Sequence, residues 1–412
     1  MTERPIRIYV GWDSREDIAY QVCRHSIVER TSKPVDVIAL RQQQLREAGL
    51  YTRATDPLAS TEFTYTRFLV PHLAGFDGWA IFCDCDFLWL GDVQELVAQI
   101  DDSSALMCVY HDHRPPEAVK MDGCAQTVYP RKNWSSMVIY NCAHPKNRVL
   151  TPEVVNAESG AFLHRFQWLE DEDISEVPET WNWLDGWSRP PADGLPPKVV
   201  HYTRGGPWFD NWQDVAYAAE WIAEEKAFQD EGGEEIWNIL DFWFEEIDPV
   251  RWFDSDAAFD RQMRARFGES HARAARGELA AWRKTPWGAL AEIILLDQFS
   301  RNLYRGDARA FACDLRALEA HRQAMARGFD HCLIPNQRQF LYMPLQHSES
   351  HDVQAEAVVH FAALGDPDSY SFALRHQEII NRFGRFPHRN DVLGRETTSD
   401  ESMFLRQPNS TF

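Results

Sequence analysis

Apolar residues in the first half of the chain fall in short β-branched or aromatic runs. These are Ile6 to Val10, Val35 to Leu40, Trp79 to Cys85, Ala105 to Tyr110, Met137 to Cys142 and Val199 to Tyr202. Between several of them stand stretches with helical spacing, Asp17 to Val28 and Thr61 to Leu73. Strand signals alternating with helix signals predict an α/β fold, a mixed sheet with flanking helices. Ligands on such sheets bind beyond the carboxyl ends of strands, which directs attention to the residues that end each run.

From about Ile236 strand signals almost vanish and the pattern becomes helical. Thr285-Pro286 fits an N-cap and first-turn proline ahead of Leu290, Ile293 and Ile294. Asp307 is placed to cap a helix carrying Phe311, Leu315, Leu318 and Met325, with Gly328 at its exit; another helix carries His376, Ile379, Ile380 and Phe383 and stops at Gly384. The polar, acidic, glycine-containing run Gln229 to Glu235 is the natural join. The expected organisation is therefore an α/β domain over residues 1–228, a linker over 229–235 and an all-α domain over 236–408.

Composition narrows the function classes. The 412 residues carry 42 Lys+Arg against 63 Asp+Glu, a formal charge of -21, which argues against nucleic acid or an anionic membrane as a general partner. None of the eight cysteines forms a C-x-x-C pair, and most lie in apolar runs, as expected of reduced, buried thiols in a cytoplasmic protein. No apolar run approaches the roughly 18 residues of a membrane helix, so stable membrane insertion is not expected. Large aromatics are usually core, so the 16 tryptophans are read first as packing.

The candidate chemistry lies in Asp84-Cys85-Asp86, at the end of the run that starts at Trp79. Residues two apart on a strand point the same way, so both carboxylates can share one hard cation of the Mg²⁺ or Mn²⁺ type. Other segments stand in a telling order around the triplet: Ile8-Tyr9-Val10-Gly11-Trp12-Asp13, Tyr65-Thr66-Arg67, Asn133-Trp134-Ser135-Ser136-Met137-Val138, and His201 ahead of Gly205-Gly206-Pro207-Trp208. In this order the first half resembles the GT-A glycosyltransferases, with their Rossmann-like mixed sheet, and most closely glycosyltransferase family 8.

The resemblance implies a Mn²⁺ (or Mg²⁺) held by Asp84, Asp86 and His201. It implies a nucleotide-sugar donor, a UDP-sugar in this family, and retention of anomeric configuration. The donor would meet Gly11, Trp12, Asp13, Tyr65, Arg67, Ser135, Ser136, Gly205 and Gly206. Leu169-Glu170-Asp171-Glu172-Asp173-Ile174, followed by Trp181-Asn182, is similar to the family's Asp-Gln-Asp segment, which faces the donor sugar, and implies roles for Asp171 and Glu172. Here Glu172 replaces the usual amide, and a carboxylate near an anomeric carbon can stabilise or attack an oxocarbenium-like centre. Lys120, Arg131, Lys132 and Arg204 are further candidate cations for the diphosphate. Gly206 stands where the family often has a lysine, which marks a divergent branch. The acceptor is not implied.

From Ile236 to Leu405 the chain resembles the helical, tetratricopeptide-like family called domain of unknown function 924. The resemblance rests on Asp241-Phe242-Trp243-Phe244, Leu295-Leu296-Asp297-Gln298-Phe299, Tyr342-Met343-Pro344-Leu345, His347-Ser348-Glu349 and Arg382-Phe383-Gly384-Arg385-Phe386-Pro387-His388-Arg389-Asn390. Arg301, His347, Glu349, His376, Arg382, Arg385, His388 and Arg389 flank apolar segments. They would form either a cationic pocket for phosphate or carboxylate or a buried ion-pair network with Asp297. Two other readings stand beside the transferase: a nucleotide-binding protein whose helical half recruits a protein partner, and a helical half with its own activity on phosphorylated metabolites.

Overall fold

The computed structural model describes residues 5–54, 60–111, 131, 133–191, 194–253, 256–408 and 410. It divides into two compact units, Met1–Phe228 and Gln229–Phe412.

The first unit holds two sheets. Its strands are β1 (Ile6–Gly11), β2 (Val35–Leu40), β3 (Trp79–Cys83), β4 (Phe87–Trp89), β5 (Leu106–Cys108), β6 (Met137–Asn141), β7 (Ile174–Glu176), β8 (Trp183–Leu184) and β9 (Val199–His201). Six form a mixed sheet in the order β2-β1-β3-β6-β5-β7, and three form a small sheet in the order β4-β9-β8. β1 runs parallel to β2 and β3, whereas β6 is antiparallel to β3 and β5. β3 and β6 are buried at nearly every position, which explains why their sequences read as continuous apolar runs without alternation.

The acidic triplet is where one sheet hands over to the other. β3 ends at Cys83 and not at Cys85, and Asp84, Cys85 and Asp86 form the short connection to β4. The expected helix over Thr61 to Leu73 is also shorter: turns lead into a 3₁₀ helix, Thr66–Leu69, and one α-turn, Val70–Leu73. Helix Asp17–Arg30 forms as the spacing predicts.

The second unit contains helices only among its described residues. Thr285 caps helix Pro286–Ile294 by accepting from Gly288 N. Helix Pro367–Phe383 ends on Gly384 with φ 68°. Asp307 caps a 3₁₀ turn, Ala308–Phe311, and the helix beyond it, Asp314–Ala326, buries Ala317, Ala320, His321 and Ala324. Its leucine stripe does not face the core, and Leu315 is 82% exposed. Residues 229–235 carry the end of helix Ala218–Asp230 and the start of helix Gly233–Asp241. Two π-helical turns, Phe242–Glu246 and Leu295–Phe299, extend helices Gly233–Asp241 and Pro286–Ile294. Around them Trp243, Phe299 and Phe340 build the aromatic core, with Trp243 edge-on to Phe340 at 5.4 Å. A buried bidentate pair, Arg283 Nε to Glu292 Oε2 at 2.7 Å and Nη2 to Oε1 at 2.9 Å, ties helix Pro286–Ile294 to the turn before it.

Candidate metal centre

Cys85 points into the core at 2% exposure, while the Asp84 and Asp86 side chains on either side keep 15% and 19%. His201 ends β9, directly opposite Phe87, the first residue of β4. Its ring stacks on Phe87 at 4.4 Å and 26°. This register brings a ligand atom from each of Asp84, Asp86 and His201 within 4.8 Å of one another.

The orientation of His201 follows from its neighbours. The Ser136 hydroxyl donates to Asn133 O at 2.7 Å and accepts from Asn182 Nδ2 at 2.9 Å. That fixes the Asn182 amide with Oδ1 toward His201 Nδ1 at 2.9 Å. An amide oxygen only accepts, so Nδ1 carries a proton toward Asn182, and Nε2 is the ring nitrogen turned to the carboxylates. Nε2 lies 3.4 Å from Asp86 Oδ1, longer than the roughly 2.7–2.9 Å of a charge-assisted hydrogen bond. A second partner holding the ring nitrogen away from the metal is also the usual support of a histidine ligand. The three residues therefore fit a divalent cation.

Arg67 is 5% exposed and is not a surface charge. It reaches Asp84 Oδ1 at 2.8 Å, donates from Nη1 to Ser135 O at 2.7 Å, and lies 4.8 Å from the Phe82 ring centre. Its place in the structure is at the Asp84 carboxylate. Asp84 N in turn donates to Ser136 O at 3.0 Å, so the Ser135-Ser136 backbone braces both Arg67 and the triplet. The Ser135 hydroxyl is 2.8 Å from His164 Nδ1.

The other expected donor-contacting residues have local roles in the described structure. Asp13 is fully buried and accepts from Arg15 N, Arg15 Nε, Arg15 Nη2 and Glu62 N at 2.8–3.0 Å. Burial opposes its ionisation, but the Arg15 and backbone hydrogen bonds win and hold its carboxyl below the usual range. Trp12 donates from Nε1 to Asp17 at 2.7 Å. Gly11 ends β1 where a Cβ would come within 2.5 Å of the Phe63 ring, so only glycine fits. Tyr65 lies under the Arg53 guanidinium at 4.0 Å. Gly205 and Gly206 form the turn after β9, and a Cβ on Gly206 would collide with the Trp208 ring. Asp171 and Glu172 sit exposed on the 3₁₀ turn Asp171–Asp173. Asp171 pairs with Arg131, and Asp173 takes Lys146 Nζ at 2.5 Å. Arg204 lies against the Trp187 and Trp212 rings. Lys120 and Lys132 lie outside the described residues.

Asn182, with Trp181, belongs to the segment whose motif resembles the one facing the donor sugar, but its role between Ser136 and His201 comes from the structure. One participant escapes motif reading. Glu16 stands at the start of helix Asp17–Arg30, and burial, then Asp86, then Asp13 push its carboxyl up to about 8. It is a third acid beside the triplet, hidden because its segment reads as an ordinary helix start.

Relatives add a family. A stretch of 238 residues is 56% identical to Protein CDI of Arabidopsis thaliana, covering 57% of this chain and 92% of that protein. The chain belongs to the family of Protein CDI. The match to Protein CDI is longer than the whole second unit, so it takes in part of the unit that carries the triplet. Residues 239–409 match the family described as bacterial protein of unknown function DUF924. Among solved structures, ATU0120, a protein of unknown function from Agrobacterium tumefaciens, is 40% identical over 42% of this chain and 98% of its own, with a TM-score of 0.41. The bifunctional glycosyltransferase WbbM is 14% identical over 55% of this chain and 50% of its own, with a TM-score of 0.39. No helix among the described residues is long and apolar enough to cross a membrane.

Proposed function

We propose that the first unit is a metal-dependent glycosyltransferase that takes a sugar from a nucleotide-sugar donor, of the UDP-sugar type, to an acceptor still to be found. The observation that carries this reading is the convergence of Asp84, Asp86 and a His201 that turns Nε2 toward them. The order of motifs resembling glycosyltransferase family 8 supports it. Asp84, Asp86 and His201 would hold Mn²⁺ or Mg²⁺, which when bound neutralises charge building on a leaving diphosphate. Arg67 fixes the Asp84 carboxylate, and Asn182 fixes the tautomer and angle of His201. Glu172 is the carboxylate assigned to the sugar: its exposure on the turn before β7 leaves it open to a ligand, and retention of configuration would follow from its attack or its stabilisation of the anomeric carbon.

The test is turnover of UDP-sugars with added Mn²⁺. Metal-dependent release of UDP by the wild-type chain, abolished by Asp84→Ala, is the expected result. Metal-independent binding of the nucleotide without turnover, equal in both proteins, would instead establish a nucleotide-binding protein. Glu172→Gln with full transfer activity would remove the role assigned to Glu172 while leaving the metal site standing.

A further inference from the structure

In a chain with a net charge of -21, the second unit gathers cations where they are least solvated. Arg389 is 5% exposed, and its guanidinium lies between the Phe311 and Phe386 rings at 4.6 and 4.5 Å. Nη1 donates to Asp314 Oδ2 at 3.2 Å, but the same carboxylate serves Arg301, whose Nη1 is 3.1 Å from Oδ1. Nε of Arg389 is buried with no acceptor among the described residues. Folded proteins rarely leave a buried guanidinium N–H in that state unless something absent from the chain itself completes it.

His347 stands in the same cluster with a nitrogen available. Asp297, fully buried, takes His347 Nδ1 at 2.7 Å, Arg301 Nη1 at 3.3 Å and Gln298 Nε2 at 2.6 Å. With so many donors the carboxyl is held well below its usual range despite burial, so Nδ1 of His347 carries the proton toward it. Nε2 meets no hydrogen-bonding partner among the described residues. The His376 ring lies 6.3 Å from His347 and 5.6 Å from Phe386. Burial and then Arg301 hold Arg389 down to about 10, as expected where cations crowd together. Asp297 itself lies on the π-helical turn Leu295–Phe299, a distortion that often marks functional sites. A closed ion-pair network would have used its own donors. This one holds Arg389 and His347, from two separate segments, with capacity to spare.

We propose that this cluster is a binding site for a compact oxyanion of the phosphate class that still carries a P–OH: Arg389 donates to its oxygens, and its P–OH donates to the Nε2 lone pair of His347. A hydrogen phosphate both accepts and donates, as this pair of groups requires, whereas an ionised carboxylate only accepts.

The experiment is calorimetric titration of the full chain with inorganic phosphate in EDTA, so that no metal-bound diphosphate site contributes. Malonate is titrated as the carboxylate control, and glucose 6-phosphate as the ester. Saturable phosphate binding is expected, weakened about tenfold or more by Arg389→Lys, which keeps the charge but loses the fork. His347→Gln, at a less buried position, is expected to weaken it as well, and Asp84→Asn to leave it unchanged. Tighter binding of the ester identifies a phosphorylated metabolite as the source; tighter binding of inorganic phosphate identifies the free anion. Absence of saturable phosphate binding, malonate binding as tight as phosphate, or wild-type affinity in His347→Gln would each overturn the proposal.

Discussion

In the first unit Asp84 and Asp86 lie in a connection between two sheets, keep part of their surface open, and face the Nε2 of a histidine whose other ring nitrogen is taken by Asn182. In the second unit Asp297 and Glu292 are fully buried and engaged by arginine and histidine donors. The same residue types thus serve opposite ends. Two acids that converge beside a histidine nitrogen would suit a cation, whereas acids shared among several buried donors would leave one of those donors with room for an anion. The difference lies in who supplies the counter-charge, because a carboxylate bonded to two or three buried donors is no longer available to a metal.

The sharpest test of the buried side of this contrast is Glu292→Leu. It leaves Arg283 buried without its bidentate partner and is expected to cost about 3–5 kcal/mol in denaturant unfolding of the second unit. Arg283→Met with Glu292→Leu should recover most of that loss; if the double variant is as unstable as the single, the pair is not the cause.

Acid should act next. His321 and His376 are held neutral, chiefly by burial, at about 4 and about 3. Around His321 the Leu341 carbonyl and Asp330 favour the cation, while His360 and Arg322 oppose it; around His376 the Phe372 carbonyl favours it, while His347, Arg389 and His388 oppose it. Both folded values lie below that of an unfolded histidine, so the unfolded chain binds more protons as pH falls. Stability is therefore complete above about pH 6.5 and declines below it, by about 2 kcal/mol per histidine at pH 5. Thermal melts from pH 8 to 5 should show this in the second unit; His321→Gln with an unchanged slope would remove that residue from the account.

On the open side, Asn182→Leu should lower Mn²⁺ affinity about 10–100-fold, read by electron paramagnetic resonance of free Mn²⁺, with the fold retained. An unaltered affinity would mean that His201 does not need its tautomer fixed. The smallest effect is expected from Thr285→Ala, which removes a helix cap and should cost about 1 kcal/mol in the same denaturant series.

The longer strands could be read from sequence as apolar runs, and the helical half because its buried faces impose a period over many residues. The strands β4, β7 and β8, two or three residues long, could not, whereas β5 and β9, equally short, sit inside longer apolar runs. Yet β4 and β9 are the pair that seats His201 against Asp86, so the triplet was legible as chemistry before its geometry was. The stripe containing Leu315 misled for a different reason: helix Asp314–Ala326 packs through alanines, whose small size permits close approach, and turns its leucine outward. Arg67 stood out in the sequence as part of Tyr65-Thr66-Arg67, but its contact with Asp84 could not be read there, because it comes from the 3₁₀ turn Thr66–Leu69 where a longer helix was expected. Glu16 has no local signature at all, and Asn182, though part of a recognisable segment, matters through His201, a partner distant in the chain.

The pairing of Phe87 with His201 also sets an order of events during folding. Asp84 and Asp86 are made early, but His201 lies far downstream, and closing so long a loop must precede any gain from the contact. On the proposed function, a growing chain would not hold the ion until β9 had docked on β4. Binding would then draw the equilibrium toward the docked state. Supply of the cation would then govern how much of the first unit completes its small sheet.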